Sequence, residues 1–268
     1  MAYSDLHTHT VFSDGKNTVE EMVREAIRRN MVSIGISDHS YTEFDTSYCM
    51  KKEALPAYLE EIQRVKIAYE GQIQVYAGLE YDGYSELENR GDFDYLIGDC
   101  HYIKTCDGYF SVDHTKDGQW QTIENYFDRD AMAYARAYYE AYVGCTQNHR
   151  PDILGHFDLV SKFGFVDETG REYRAMAIEA MIACLEVTPI VEMNTGPISR
   201  GWRNYAFPNT FLLKEIFAHG GKVILSSDSH RPDTLTGYFE ESAGLLRQAG
   251  FDSMMIFTNG QFEEIGLV

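Results

Sequence analysis

Residues 18–39 have the sequence TVEEMVREAIRRNMVSIGISDH, and this stretch decides the fold class. Thr18 and Glu21 form a capping box, and apolar residues follow with the period of an α-helix. Residues 32–37, VSIGIS, then have the uncharged, β-branched composition of a short buried strand. A helix followed directly by a strand is one repeat of an α/β fold, and Asp38 and His39 stand where this strand ends.

The same repeat recurs along the chain, which predicts a parallel sheet. Helical patterns occur at about 55–70 and near 131–143, 174–187, 208–219 and 239–249. Further strand candidates alternate with them at 2–6, 73–79, 94–98, 152–156, 189–193 and 222–227. Seven strands in about 230 residues favour a TIM-like barrel over an open parallel sheet, although periodicity alone fits both, and we expect residues 1–268 to form one domain.

Composition narrows the classes of function. The 268 residues carry a formal net charge of −19, which argues against binding to nucleic acid or to an anionic membrane surface. A small phosphorylated substrate stays possible, because bound metal ions reverse the local field. Five scattered cysteines without a CxxC pair, and no signal-peptide pattern, predict a cytoplasmic enzyme. Nothing in the pattern sets an oligomeric state.

Residues that can bind metal ions follow the predicted strands one after another. Six of the nine histidines stand directly after a predicted strand. The carboxyl ends of parallel strands form one face of an α/β fold, so we expect these side chains to converge. The polar residues at these ends are His7, His9, Asp38, His39, Glu80, His101, His156, Glu192, Asn194, Asp228 and His230.

This set predicts a centre with more than one metal ion. His7 and His9 are two residues apart on an extended segment and point the same way, and Asp228 and His230 repeat that spacing. Each motif alone is weak, since an isolated histidine at a strand end is usually structural. Imidazole and carboxylate together suit Zn, Mn or Fe, and one ion takes about four protein ligands or fewer. We expect Glu80, on a central strand, to bridge two ions.

Seven segments, in order, resemble the PHP (polymerase and histidinol phosphatase) family of metal-dependent phosphoesterases, and most of all its monofunctional histidinol-phosphate phosphatases. They are DLHTHTVFSDG (5–15), GISDHS (35–40), GLEYD (78–82), IGDCHYI (97–103), GHFDLV (155–160), EMNTG (192–196) and SSDSH (226–230). The resemblance implies a distorted (β/α)7 barrel and a trinuclear centre of divalent Zn, Mn or Fe. It implies nine metal ligands: His7, His9, Asp14, His39, Glu80, His101, His156, Asp228 and His230.

By this resemblance the protein hydrolyses L-histidinol phosphate to L-histidinol and phosphate in histidine biosynthesis. We expect a metal-bound hydroxide, and no protein nucleophile, to attack phosphorus, because a metal lowers the pKa of water from about 15.7 towards about 7. Arg200 is the expected phosphate-binding residue and Lys162 a second candidate, each otherwise a solvated surface charge. Asp38, Glu192 and Asn194 are expected to orient ligands or to meet the substrate.

Several alternatives stay open at this point. The alternative substrate is a nucleotide or another small phosphate monoester. Glu43 and Asp45, in the loop after His39, are hypothesised to meet the substrate's amine. Residues 104–130 are either a loop over the substrate or a packed surface excursion. A non-catalytic metal-binding module fits the complete ligand set poorly, and an amidohydrolase would usually have a carboxylated lysine or another ligand where this chain has Glu80.

Overall fold

The structure is a computed structural model that describes residues 2–87 and 89–267. Its strands are β1 (Ser4–Asp5), β2 (Ser33–Ile36), β3 (Gln74–Asp82), β4 (Tyr95–Asp99), β5 (Tyr102–Thr105), β6 (Gly108–Ser111), β7 (Ile153–Leu154), β8 (Ile190–Asn194), β9 (Lys222–Ser226), β10 (Ser253–Thr258) and β11 (Gln261–Gly266). Its α-helices are α1 (Val19–Arg28), α2 (Leu55–Ala68), α3 (Lys116–Tyr126), α4 (Ala131–His149), α5 (Arg171–Leu185), α6 (Gly196–Ser199), α7 (Thr210–Ala218) and α8 (Phe239–Ala249).

Nine strands form one sheet in the order β1-β2-β3-β4-β7-β8-β9-β10-β11. Every neighbouring pair from β1 to β10 is parallel, and only β11 runs antiparallel. The seven predicted strands are all present, and the curled sheet with helices between its strands confirms the prediction of a distorted TIM-like barrel. Among the described residues, no helix is both long and apolar enough to cross a bilayer.

The first helix forms as its sequence predicts. The hydroxyl of Thr18 accepts a hydrogen bond from the backbone N–H of Glu21, and the Glu21 carboxylate accepts one from the N–H of Thr18. These two bonds satisfy donors that a helix start would otherwise leave free. The apolar stripe of α1 is buried, so the strand that follows enters the sheet at a fixed position.

The barrel closes at the carboxyl ends of its strands. Thr8, just after β1, forms a parallel bridge with Ser229, just after β9. The N–H of His9 donates to the carbonyl of Ser229 at 2.9 Å, and the N–H of Ser229 donates to the carbonyl of His7 at 3.2 Å. At the opposite end β10 lies beside β1, where the N–H of Phe257 donates to the hydroxyl of Ser4 at 3.2 Å. The segments after β1 and β9 therefore meet where the candidate ligands stand.

A tyrosine fills the barrel interior. Tyr95 is buried, and its hydroxyl donates to the carbonyl of Leu6 across the barrel. Its ring occupies space that Gly35 and Gly78 leave open, because a Cβ at Gly35 would lie 2.0 Å from the Tyr95 oxygen and one at Gly78 would lie 2.2 Å from Cζ. These close approaches explain two glycines inside strands, where glycine is otherwise unfavourable.

Four strands and two α-helices, α3 and the short α6, were not predicted. β5 and β6 pair as a separate hairpin, and α3 follows them, so residues 104–130 fold as a hairpin and a helix. β10 and β11 form a hairpin across Asn259 and Gly260, which both have positive φ. That Asn-Gly pair is a strong hairpin signal in the sequence and should have predicted both strands.

Candidate metal centre

One buried carboxylate lies at the middle of the candidate site. Glu80, on β3, has a side chain only 1% exposed, and five histidine rings surround it. The distances from the Glu80 oxygens are 2.6 Å to Nδ1 of His39, 3.0 Å to Nε2 of His156, 3.3 Å to Nε2 of His7, 3.4 Å to Nε2 of His9 and 3.4 Å to Nε2 of His101. His7 and His9 follow β1, while the other three rings follow β2, β4 and β7, as the strand-end pattern predicts.

Two further carboxylates, Asp228 and Asp14, lie beside the same group of histidines. Asp228 Oδ1 is 3.3 Å from Nε2 of His9 and 3.9 Å from Nε2 of His7. Asp14 Oδ2 is 3.0 Å from Nε2 of His230, and its Oδ1 is 3.8 Å from Nδ1 of His9. The structure thus brings all nine predicted ligands together, and His9 lies between the Asp228 group and the Asp14 group.

The donor atoms present fit bound metal ions. Four sets of three or four side chains place their donor atoms within 4.8 Å of one another: His9, Asp14, His39 and His230; His7, His9 and Glu80; His39, Glu80 and His101; and Glu80, Asp99 and His156. Several of these atoms are buried without a hydrogen-bond partner, among them Nε2 of His7, both ring nitrogens of His9 and Oδ1 of Asp14. Buried polar atoms normally have a partner, and a metal ion would supply it.

A cavity of about 360 Å³ opens over this cluster. Two cationic side chains line it, Arg200 and Lys162. Arg200 Nη2 donates to Asp228 Oδ2 at 2.6 Å, and Lys162 Nζ lies 3.1 Å from the carboxylate of Asp113. The Lys162 side chain is 6% exposed, so the interpretation of this residue as a solvated surface charge is wrong.

The chain is similar to known proteins over most of its length. Residues 5–196 match the PHP domain family, which is 192 of the 268 residues. The chain belongs to the PHP domain family. Among PHP-type relatives, the probable histidinol-phosphatase of Deinococcus radiodurans is 27% identical over 259 residues, covering 92% of this chain and 93% of the relative. The histidinol-phosphatase of Bacillus subtilis is 25% identical over 264 residues, covering 90% of this chain and 98% of that one.

A solved structure shares the fold of this PHP domain. The histidinol phosphate phosphatase of Lactococcus lactis, solved with zinc, L-histidinol and phosphate, superposes with a TM-score of 0.75. The superposition covers 97% of this chain and 98% of that structure, with 22% sequence identity. A second structure, from Listeria monocytogenes, has a TM-score of 0.74 and 20% identity. Both likenesses confirm the distorted barrel.

Carboxylates that are not among the nine predicted ligands lie beside Nδ1 of three of the PHP domain's histidines. Glu192 lies 2.8 Å from Nδ1 of His7, and Asp82 lies 3.2 Å from Nδ1 of His101. Asp99 lies 3.1 Å from Nδ1 of His156. Such a contact fixes ring orientation and leaves Nε2 free for a metal. Sequence reasoning included Glu192 but missed both aspartates, although Asp82 stands two residues after Glu80 and Asp99 two before His101.

Asp38 and Asn194 support the segments that carry ligands. Asp38 accepts hydrogen bonds from the N–H of Thr10 at 2.8 Å and from its hydroxyl at 2.6 Å, which holds the loop between His9 and Asp14. Nδ2 of Asn194 donates to Glu192 at 2.9 Å and to Asp228 at 3.2 Å. Asp38 thus supports the loop that carries Asp14, and Asn194 contacts Asp228. These contacts agree with the first of their two predicted roles, which is to orient ligands.

The histidines of the PHP centre differ in the direction in which their surroundings shift the pKa. Burial opposes a charge on His39, but Glu80 outweighs it and raises the pKa of His39 to about 9. Burial likewise opposes a charge on His101, while Asp82 and Glu80 raise its pKa to about 9. Burial, reinforced by His230 and His39, lowers the pKa of His9 to about 3. Metal binding must therefore displace protons from His39 and His101 at neutral pH.

The other sequence hypotheses have mixed outcomes. Glu43 lines a neighbouring cavity, and the structure does not bring it to the metal cluster. Asp45 accepts a hydrogen bond from the Tyr102 hydroxyl at 2.9 Å, and Tyr102 itself lines the pocket. Within residues 104–130, the turn at 111–114 also lines the pocket, while the Tyr109 ring stacks on Phe44 with centroids 4.0 Å apart. This segment therefore packs on the barrel and contributes to one pocket wall.

Proposed function

We propose that this PHP-family protein is a histidinol-phosphatase, which hydrolyses L-histidinol phosphate to L-histidinol and phosphate in histidine biosynthesis. In this reaction water supplies the new oxygen on phosphorus, and the bond between phosphorus and the alcohol oxygen breaks. The observation that carries the proposal is the cluster of nine potential ligands directly below two cationic side chains in one cavity. The curated histidinol-phosphatases, which align with at least 90% of this chain in the cases given above, support the choice of substrate.

Three divalent transition-metal ions, Zn, Mn or Fe, are the proposed cofactors. The proposed ligands are His7, His9, Asp14, His39, Glu80, His101, His156, Asp228 and His230. When bound, such ions polarise the phosphate group and make water a nucleophile at neutral pH. The unpartnered ring nitrogens and the unpartnered Asp14 oxygen of this set support the assignment. Glu80 belongs to three of the four donor sets, which supports its proposed role as a ligand shared between ions.

The chain's own cations bind and orient the phosphate in this proposal. Arg200 and Lys162 reach the pocket from different loops, and each is held by an aspartate, Asp228 and Asp113. A guanidinium presents paired donors to phosphate oxygens, and an ammonium presents a compact charge. Because both side chains are already held in place, little side-chain entropy is lost when phosphate binds.

Aromatic side chains form the part of the pocket that suits the leaving group. Tyr48, Tyr102 and Phe207 all line the cavity. L-Histidinol carries a flat imidazole, and aromatic rings stack favourably on such a group. Asp113 lines the same pocket and contacts Lys162, and its side chain is 27% exposed.

The test is a comparison of substrates on one preparation. L-Histidinol phosphate, a panel of nucleotides and a panel of sugar phosphates are assayed for phosphate release. We expect kcat/KM to be highest for L-histidinol phosphate. Higher values for a nucleotide or a sugar phosphate would instead establish the alternative, a PHP-family phosphatase for another small monoester.

The cysteines and the sheet support proposals for the protein's cellular location and its domain organisation. We propose a cytoplasmic location, which the scattered cysteines support, since all five are free thiols. We also propose that residues 1–268 act as one domain, because the sheet takes strands from Ser4 to Gly266. The proposed binding partner is a small phosphorylated substrate.

A further inference from the structure

The two pocket cations share one aromatic ring. Nζ of Lys162 lies 3.7 Å from the centroid of the Trp202 ring, and Cζ of Arg200 lies 4.3 Å from it. Both distances are within the range at which a cation is attracted to the face of an indole, which is the strongest of the aromatic rings in this respect. Trp202 was not among the residues that the sequence singled out.

Each cation is held between this ring and a carboxylate. Lys162 Nζ donates to the backbone carbonyl of Asp113 at 2.8 Å and to its carboxylate at 3.1 Å. Arg200 donates to the carboxylate of Asp228 at 2.6 Å and to its backbone carbonyl at 2.8 Å. Fixing a lysine or arginine side chain costs much rotamer entropy. Contacts on two sides of each cation offset this cost and hold its charge in one position.

The loop that carries Trp202 is anchored independently of the indole. The N–H of Trp202 donates to the carbonyl of Pro197 at 2.9 Å. Arg203, whose side chain is 8% exposed, donates to the hydroxyl of Ser161 and pairs with Glu168. Since Ser161 directly precedes Lys162, these bonds join the Trp202 loop to the segment that carries the lysine.

Trp202 itself is left 47% exposed at the pocket. A large apolar ring that is half exposed in a cavity, with its neighbours well anchored, is not needed to fill a core. We propose that Trp202 is the positioning residue for phosphate binding, which holds the charges of Lys162 and Arg200 towards the phosphate group. This inference rests on the proposed phosphatase function, and it predicts that Trp202 acts on the phosphate part of any monoester.

Kinetics with two substrates test this role. Trp202→Leu removes the aromatic face, and Trp202→Phe keeps a smaller one. We expect Trp202→Leu to lower kcat/KM about tenfold, mainly through KM, and Trp202→Phe to stay within about threefold of wild type. The loss should be equal for L-histidinol phosphate and for glycerol phosphate. A loss confined to L-histidinol phosphate would mean that Trp202 contacts the leaving group, and the proposal would be wrong.

The other tryptophan of the chain is the matched control. Trp120, on α3, is 36% exposed and packs beside Phe165, with ring centroids 5.4 Å apart. Trp120→Leu should leave both kcat/KM values unchanged. Thermal melts of all variants establish whether the altered proteins are folded. If Trp202→Leu melts early, Trp202→Phe carries the test, and its smaller loss of kcat/KM should be equal for the two substrates.

Binding of inorganic phosphate separates this inference from the proposed function. Calorimetric titration of the purified protein should give a dissociation constant about tenfold weaker in Trp202→Leu than in wild type. Wild-type protein that releases no phosphate from any monoester but shows this difference would contradict the phosphatase function and support the positioning role. Equal phosphate affinities, or no binding to wild type, would overturn the positioning role whatever the activity.

Discussion

The carboxylate of Glu192 lies 2.8 Å from Nδ1 of His7, across 185 positions of sequence, and this contact leaves Nε2 of the same ring facing Glu80. Glu192 is fully buried in the middle of β8, and it also accepts a hydrogen bond from the backbone N–H of His156 at 2.6 Å. One carboxylate thus fixes the orientation of one candidate ligand and the backbone position of another. Contacts of this kind commonly change metal affinity without touching the metal.

Glu192→Gln should therefore weaken metal binding while the protein stays folded. Glutamine lacks the charge and has one acceptor oxygen, which cannot serve both His7 and the N–H of His156, so we expect Zn²⁺ affinity to fall about 10- to 100-fold. Competition with a fluorescent chelator measures this affinity. Glu186→Gln, at an exposed position at the end of α5, is the matched control and should bind zinc as wild type does. Equal affinity in the two variants would contradict the orienting role.

Removal of metal should abolish phosphatase activity and lower the melting temperature. Protein purified without chelator is expected to contain more than about two equivalents of transition metal, since one ion takes about four protein ligands or fewer. A ligand at about 100 times its dissociation constant stabilises the folded state by about 2.7 kcal/mol. Elemental analysis and melts before and after EDTA check both points, with re-added Zn²⁺, Mn²⁺ or Fe²⁺ as the control. Fewer than about one equivalent would exclude the trinuclear proposal.

Lys162→Met should weaken turnover of every phosphate monoester. A hydrogen bond to a charged group contributes about 1.5–3 kcal/mol, so we expect kcat/KM to fall about 10- to 150-fold. Lys214→Met, at an exposed position on α7, removes the same charge far from the pocket lining and should leave kcat/KM unchanged. Steady-state kinetics on L-histidinol phosphate decide between the two outcomes, and similar losses in both variants would point to a general effect of net charge.

Asp158 should make the folded state less stable as the pH rises from about 4 to 7. Burial raises the pKa of this carboxyl to about 7, above its value in the unfolded chain, so the folded protein keeps a proton that the unfolded chain loses. The stability from this proton is complete below about pH 4 and is lost as the pH passes about 7, with a slope of at most about 1.4 kcal/mol per pH unit. Urea unfolding from pH 5 to 8 measures it. Asp158→Asn does not titrate, and an unchanged pH slope in that variant would contradict the assignment.

Gly78→Ala should destabilise the barrel, whereas Gly144→Ala should stabilise it. A Cβ at Gly78 would lie 2.2 Å from the Tyr95 ring, so we expect a loss of about 1–3 kcal/mol. Gly144 lies inside α4 with no atom within 4 Å of its added Cβ, and alanine there should gain about 0.4–1 kcal/mol. Urea denaturation gives both free energies of unfolding. A neutral Gly78→Ala would mean that Tyr95 moves aside easily.

The sequence predicts the inner part of the site better than its surroundings. Residues such as His7 and Glu80 were found because parallel strands end on one face, so position along the chain is enough. Asp99 and Asp82 were missed because their contacts with ring nitrogens depend on side-chain directions within a strand and its next turn. The hairpin β10–β11 was missed although its turn carries an Asn-Gly pair.

The pocket wall was least predictable. Lys162 is buried only because Asp113, from the segment after β6, and Trp202, from the loop after α6, both reach it. These three residues come from separate connections, and no periodicity relates them. Long connections take their positions from tertiary packing, so a charge within one of them looks like an ordinary surface charge in the sequence.

The bridge between Thr8 and Ser229 joins two segments that are synthesised far apart in time. His7 leaves the ribosome 221 residues before Asp228, which corresponds to roughly 10–45 s of synthesis at about 5–20 residues per second. Until the loop after β9 has been made, the chain has neither the Asp228 carboxylate nor the closing hydrogen bonds from Ser229. The complete set of nine candidate ligands therefore becomes available only late in synthesis.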